Sequence, residues 1–173
     1  PCVGATHCQS PYRPHCLHNP ATGRETVLSH TIAPAASGRK IVIVGGGPAG
    51  LEAARISAER GHDVVLFEAA DRLGGQIVLG SRASWRKDLI GIIDWRLDQI
   101  ERKNVRIVMN TYADRRLVLA EKPDVVIIAS GGMPNISWID GFEHCLNVWD
   151  FIATPIPRGD DVIVYDRSEE HTS

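Results

Sequence analysis

The sequence predicts an α/β domain built on a parallel sheet and entered through an irregular, cysteine-rich segment. Three observations carry this. The apolar, β-branched run "KIVIV" at 40–44 ends in three glycines, and such a run reads as a strand buried on both faces of a parallel sheet. Helix-period and strand-period segments then alternate along the chain, the pattern of strand–helix–strand units. Residues 1–38 show neither period and are punctuated by Pro, His, Ser, Thr and Gly, so they read as a loop-rich segment and linker.

The elements follow in order. "PAGLEAARISAERG" (48–61) is a helix with small residues on the side that must approach the sheet, and Gly61 closes it. "DVVLFE" (63–68) is the second strand, and "AADRLGGQI" (69–77) is a loop. Residues 84–103 read as the longest helix, because Trp85, Leu89, Ile93, Leu97 and Ile100 recur at spacings of four and three and share one face. "VRIVMN" (105–110) reads as a strand and "ADRRLVLAEK" (113–122) as a short helix or turn. "DVVIIAS" (124–130) reads as another buried strand, broken by "GGMPN", and "DVIVYD" (161–166) as a last strand. The domain proper is therefore 39–166. The tail "RSEEHTS" (167–173) matches the translation of a common sequencing-library adapter, so natural sequence is expected to stop near Asp166; a genuine polar tail is the alternative.

Bulk properties exclude several classes. The length, 173 residues, suits one domain with an appendage. A net charge of −2, from 19 basic and 21 acidic residues with no basic stripe, argues against a nucleic-acid partner. No apolar run approaches the roughly 18 residues of a membrane span, so no membrane association is expected. No charged stretch precedes an apolar one, so no secretory leader is read and a reducing, cytoplasmic setting is expected. There, Cys2, Cys8 and Cys16, crowded into the first 16 residues, point to a metal or to catalysis more than to disulfides. Cys145, far along the chain, reads as a packing residue.

The chemistry-bearing motif is Gly45-Gly46-Gly47-Pro48-Ala49-Gly50, a G-x-G-x-x-G between a strand and a helix. Gly45 permits a tight turn, Gly47 leaves room for a pyrophosphate, and Gly50 lets helix and strand pack closely. The helix start offers free amides and a partial positive charge to phosphates. Glu68 ends the second strand eighteen residues after Gly50. A carboxylate there accepts hydrogen bonds from the adenosine ribose and disfavours a 2′-phosphate.

Two further elements narrow the dinucleotide. "DRLGGQ" (71–76) resembles the second element of flavoproteins with two dinucleotide-binding domains, where Gly-Gly lies close to the FAD. "IIASGGMPN" (127–135) resembles their later Ala-Thr-Gly element, with Ser130 in place of the usual Thr. The resemblance implies a three-layer, Rossmann-like FAD/NAD(P)-binding domain and favours FAD. An ADP-only pocket is the alternative. It places the cofactor against Gly45, Gly47, Pro48, Ala49, Gly50, Glu68, Ala69, Arg72, Gly75, Gln76, Ser130 and Gly131.

With the cysteines included, nearly the whole chain resembles the iron–sulfur flavoprotein family of trimethylamine dehydrogenase, 2,4-dienoyl-CoA reductase and related NADH:flavin oxidoreductases. Within that family it looks most like the N-methylproline demethylase subgroup. There, an FMN-binding barrel of the old yellow enzyme kind is followed by a [4Fe–4S] segment and then by the nucleotide-binding region. Laid on this chain, the first, third and fourth cysteine ligands fall on Cys2, Cys8 and Cys16, and the second falls on Ala5. Alanine cannot ligate iron, and thiolates are the ligands such clusters require. A [4Fe–4S] cluster with a fourth ligand such as His7, His15 or His18, a three-iron cluster, and an empty site all remain open, as does tetrahedral zinc. A thioredoxin-reductase-like reading has no support, since no Cys-x-x-Cys occurs.

The resemblance implies part of an FMN/FAD iron–sulfur oxidoreductase acting on amines or enoyl-type substrates with NAD(P)H-linked electron transfer. Its small-molecule substrate would bind in the barrel, so no catalytic residue is named, and this part alone is expected to be inactive. A non-catalytic ADP-binding module of an amine dehydrogenase is the second reading. A homo-oligomer is compatible with either.

Overall fold

The computed structural model describes residues 2–154 and 163–165, which fall into two compact units, Pro1–Met133 and Pro134–Ser173. The first unit is built on four parallel strands: β1 (Lys40–Val44), β2 (Asp63–Phe67), β3 (Val105–Val108) and β4 (Val125–Ile128). Their order is β3-β2-β1-β4. Lys40 pairs with Asp63, Ile41 with Val125, and Val64 with Val105. The chain thus moves outward from β1 through β2 to β3 and returns on the other side of β1. The strand order reverses between β1 and β4, and in open parallel sheets ligands bind at the carboxyl ends of strands beside such a reversal.

Alternation along the strands supplies two buried faces. Ile41, Ile43, Val64 and Leu66 pack against Leu51 and Ala54 of α1 (Pro48–Glu59) and Ile92, Ile93 and Ile100 of α3 (Gly91–Glu101). Val42, Val65 and Phe67 face the other way, against Val118 of α4 (Arg115–Ala120). Ile43, Leu51 and Leu66 are fully buried, each contributing about 1.5–3 kcal/mol of apolar transfer. The result is the parallel α/β sheet that the alternating pattern predicts, in the three layers that the resemblance implies.

An ionic seam joins α1 to α3. Arg96 is only 5% exposed. Its Nε lies 2.9 Å from Glu52 Oε2, an ion pair without hydrogen-bond alignment, and its Nη1 donates to the Ile92 carbonyl at 2.9 Å. Arg55 holds Glu52 at 2.7 Å and Glu59 at 3.2 Å. Two neighbouring carboxylates and two guanidiniums thereby neutralise one another where desolvation is greatest.

Three departures from the sequence pattern have physical reasons. Residues 84–103 are not one long α-helix: Ser84–Ile90 is 3₁₀, α3 begins at Gly91, and α1 is longer. A 3₁₀ turn advances farther per residue than an α turn, and Trp85 swings off the apolar face to 75% exposure. β4 is not buried on both faces, because it lies at the sheet edge and α4 packs over β1 and β2; Val126 and Ile128 are 40% and 69% exposed. Of the last predicted strand, Ile163, Val164 and Tyr165 are described; they are exposed and carry no ladder to any described strand. The rest of "DVIVYD" and the 167–173 tail lie outside the described residues.

The first 38 residues are irregular apart from a 3₁₀ turn at His7–Gln9. They are nonetheless fastened to the domain: Val3 packs on the α1–α3 core and Ala21 is buried. In the second unit, α5 (Val148–Ala153) is capped by the Asn147 side chain, whose oxygen accepts the amides of Trp149 and Asp150. Cys145 is exposed there rather than packed, following a 3₁₀ turn (Phe142–His144) that buries no residue. Among the described residues no helix is long and apolar enough to cross a membrane.

Candidate functional site

The glycine loop lies at the carboxyl end of β1, at the strand-order reversal. Gly45 has φ +104°, and a Cβ there would stand 2.4 Å from the Ala129 carbonyl oxygen. A Cβ on Gly50 would stand 1.8 Å from the Gly45 carbonyl oxygen. Helix α1 therefore starts in contact with the loop only because position 50 is bare. A Cβ on Gly47 would meet nothing within 4 Å, so the space above this residue is open to a ligand. Gly47 caps α1 without a side chain and Pro48 opens the helix. The first-turn amides of Ala49 and Gly50 have no intrahelical acceptor, which makes this end an anion cradle.

Glu68 follows directly after β2 and is half-buried. Its Oε2 accepts the Gly46 amide at 2.6 Å and its Oε1 accepts the Ala70 amide at 2.8 Å. Each carboxylate oxygen keeps a further lone pair, enough for a vicinal diol. Ala69 and Arg72 are exposed on the loop that follows.

That loop is fastened at two points. The Gly74 amide donates to the Gly46 carbonyl at 2.9 Å. Gly75, with φ +53° and ψ −136°, comes so close that a Cβ would stand 3.2 Å from Gly47 Cα. Gln76 opens the short helix α2 (Gln76–Gly80) and donates from Nε2 to the Gly132 carbonyl at 3.3 Å. Ser130 and Gly131 are exposed at the end of β4, Gly131 with φ +72°. The structure thus gathers the three glycine-bearing stretches around one end of the sheet. Sequence reasoning gave no role to Gly46 or Leu73. Leu73 closes over Gly46, where a Cβ would stand 2.3 Å from Leu73 Cδ2. The signal for Gly46 was the middle glycine of the run, which the G-x-G-x-x-G pattern leaves unspecified.

The cysteines behave differently. Cys2, Cys8 and Cys16 are free thiols, and among the described residues no three His, Cys, Asp or Glu side chains are gathered to hold a metal ion. Each of two thiols closes its own turn instead: Cys2 Sγ accepts the Gly4 amide and Cys16 Sγ the His18 amide, both at 3.4 Å. Ala5 contributes no donor between them. As they lie, these residues do not fit an iron–sulfur cluster. Nor do the nearby histidines complete a set. His7 and His15 stack at 4.6 Å between ring centroids. His18 sets its ring edge-on against Trp95, 6.1 Å between centroids, with both ring nitrogens buried and unbonded. Burial, then the neighbouring Arg96 charge, lowers the His18 pKa. His18 anchors the cysteine segment on α3, a role the sequence does not display.

Comparison with known proteins agrees with this geometry. Residues 39–154 match the family described as pyridine nucleotide-disulphide oxidoreductase. The chain is 51% identical over 173 residues to a multifunctional alkene reductase/demethylase OYE of Caballeronia cordobensis, covering all of this chain and 26% of that protein. It is 44% identical over 178 residues to a probable N-methylproline demethylase of Rhizobium meliloti (strain 1021), again covering all of this chain and 26% of the relative. The chain therefore spans about a quarter of the length of these curated relatives. Among solved structures, a 2-naphthoyl-CoA reductase in complex with 2-naphthoyl-CoA superposes with a TM-score of 0.77 at 37% identity, over 84% of this chain and 22% of that one. A glycine loop at the strand reversal, an acid directly after the next strand and the match over 39–154 converge, and the chain belongs to the pyridine nucleotide-disulphide oxidoreductase family, with reductases and demethylases among its relatives.

Proposed function

We propose that this chain is the FAD-binding portion of a flavin-dependent oxidoreductase. In this reading the whole protein moves reducing equivalents between NAD(P)H and an amine or enoyl-type substrate. The observation that supports it is the pairing of open space above Gly47 with Glu68, whose two oxygens already hold the Gly46 and Ala70 amides. The α1 start would receive the pyrophosphate, and Glu68 would take the ribose diol and repel a 2′-phosphate.

Bound FAD supplies the hydride and single-electron chemistry. This chain's own residues bind it and hold it in place. Gly45 and Gly50 keep the cradle tight, Gly47 leaves it accessible, and the 74–76 and 130–132 turns border the other half of the dinucleotide. FMN, the substrate and the residues that act on it belong, in this reading, to the remaining three-quarters of the protein. The named activities of the relatives, alkene reduction and demethylation, support these two substrate classes.

The test is a titration of the full chain with FAD, ADP and NADP⁺ by calorimetry. FAD binding competed by ADP, with NADP⁺ far weaker, is the expected result. ADP binding without FAD binding would favour a structural ADP module, and no binding of either would overturn the assignment.

A further inference from the structure

We infer that Gln76 is a positioning residue for the flavin-side half of the dinucleotide, acting by tying the start of α2 to the turn after β4. The inference rests on the FAD reading above and deepens it. The sheet order is the starting point. Glu68, directly after β2, marks the adenosine end, and the glycine loop, directly after β1, marks the pyrophosphate. The next strand across the sheet is β4, so the remaining half of an extended dinucleotide runs toward Ser130–Gly132. ADP lacks that half.

The walls of this far region come from two loops that are separate in sequence. The 74–76 stretch is held on its inner side by the Gly74 amide on the Gly46 carbonyl at 2.9 Å. On its outer side the Gln76 amide reaches the Gly132 carbonyl, 56 residues away, at 3.3 Å. Gly131, with φ +72°, sits beside the same amide: a Cβ there would stand 3.9 Å from Gln76 Nε2. The 130–132 turn is exposed and glycine-rich, so its backbone has many conformations to lose on ordering. A side-chain donor that fixes its carbonyl pre-organises the wall before the ligand arrives.

The experiment compares Gln76→Met, which keeps the length and loses the donor, with Gln76→Glu, which is isosteric but presents only acceptors to the Gly132 carbonyl. The full chain is titrated with FAD and with ADP, and thermal melting confirms that each variant is folded. Both variants should bind FAD five- to tenfold more weakly, with ADP affinity within about twofold of wild type. Equal weakening for both ligands would reduce Gln76 to a general structural role and overturn the proposal, as would unchanged FAD affinity. Wild-type protein that binds ADP but not FAD would sink the flavin reading itself, and the role of Gln76 with it.

Discussion

Glu68 holds the glycine loop from the neighbouring strand: its Oε2 lies 2.6 Å from the amide nitrogen of Gly46. The residue that would recognise the ribose is thus also a brace for the glycine loop, and two substitutions weigh the two roles differently. Glu68→Gln keeps the shape, loses the negative charge and turns one acceptor into a donor. Discrimination between ADP and its 2′-phosphate should fall about tenfold in competition titrations, since a charge repulsion is removed. Glu68→Ala leaves the Gly46 and Ala70 amides without this partner and should cost about 1–3 kcal/mol in urea unfolding as well. Unchanged discrimination in Glu68→Gln would remove the acid from the ribose site.

Gly47 and Gly50 lie three residues apart and should fail differently. Gly50→Ala places a methyl 1.8 Å from the Gly45 carbonyl oxygen. The backbone must move, and the usual helix gain of alanine is outweighed by overpacking of about 1–3 kcal/mol. Both melting temperature and nucleotide affinity should drop. Gly47→Ala meets open space at φ −72°, so its melting temperature should stay close to wild type while affinity for ADP and FAD falls at least tenfold. Equal losses of stability in the two variants would contradict the cradle geometry.

The α1–α3 seam predicts an asymmetric pair of mutants. Removing Arg96 leaves Glu52 still held by Arg55 at 2.7 Å. Removing Glu52 leaves the buried Arg96 with no carboxylate among the described residues, held by the Ile92 carbonyl and the Trp95 ring. Breaking a buried pair costs about 3–5 kcal/mol when a charge is stranded. Glu52→Ala should therefore destabilise more than Arg96→Met does, measured as shifts in denaturation midpoint. The reverse order would show that the seam is held mainly by packing of the Arg96 stem.

Glu121 gives a pH dependence. Its carboxylate meets Arg106 Nη2 at 2.5 Å and Lys40 Nζ at 2.9 Å. The hydrogen bond from Arg106, then that from Lys40, holds its pKa below the usual glutamate value. The folded state therefore releases this proton more readily than the unfolded chain. The contribution is fully present above the ordinary value of about 4.3 and is lost as pH falls through the lowered folded value. Glu121→Gln should flatten the acid limb of a stability–pH profile while leaving slopes above pH 6 unchanged. An unaltered acid limb would show that solvent screens the cluster.

Much of the site was legible because its determinants are local. The run of β-branched residues into Gly45, the bare positions at 47 and 50, and Glu68 after the next strand all act through spacing within one strand–helix–strand unit. The Gly74–Gly46 and Gln76–Gly132 bonds were not legible, since they join loops that only the sheet brings together. The same holds for His18 on Trp95, where a histidine in a cysteine-rich stretch suggests a ligand and the structure uses the ring as an anchor.

The sequence by itself determined the fold class and the placing of a glycine turn between the first strand and its helix. Both follow from backbone preferences and side-chain periods that operate over a few residues. Tertiary structure decided the rest: that β4 is an edge with Val126 and Ile128 uncovered, that Trp85 leaves its predicted face, and that Cys2 and Cys16 close separate turns, with no metal-holding group gathered among the described residues. Whether distant groups converge depends on the packing of whole elements, and no local spacing encodes it.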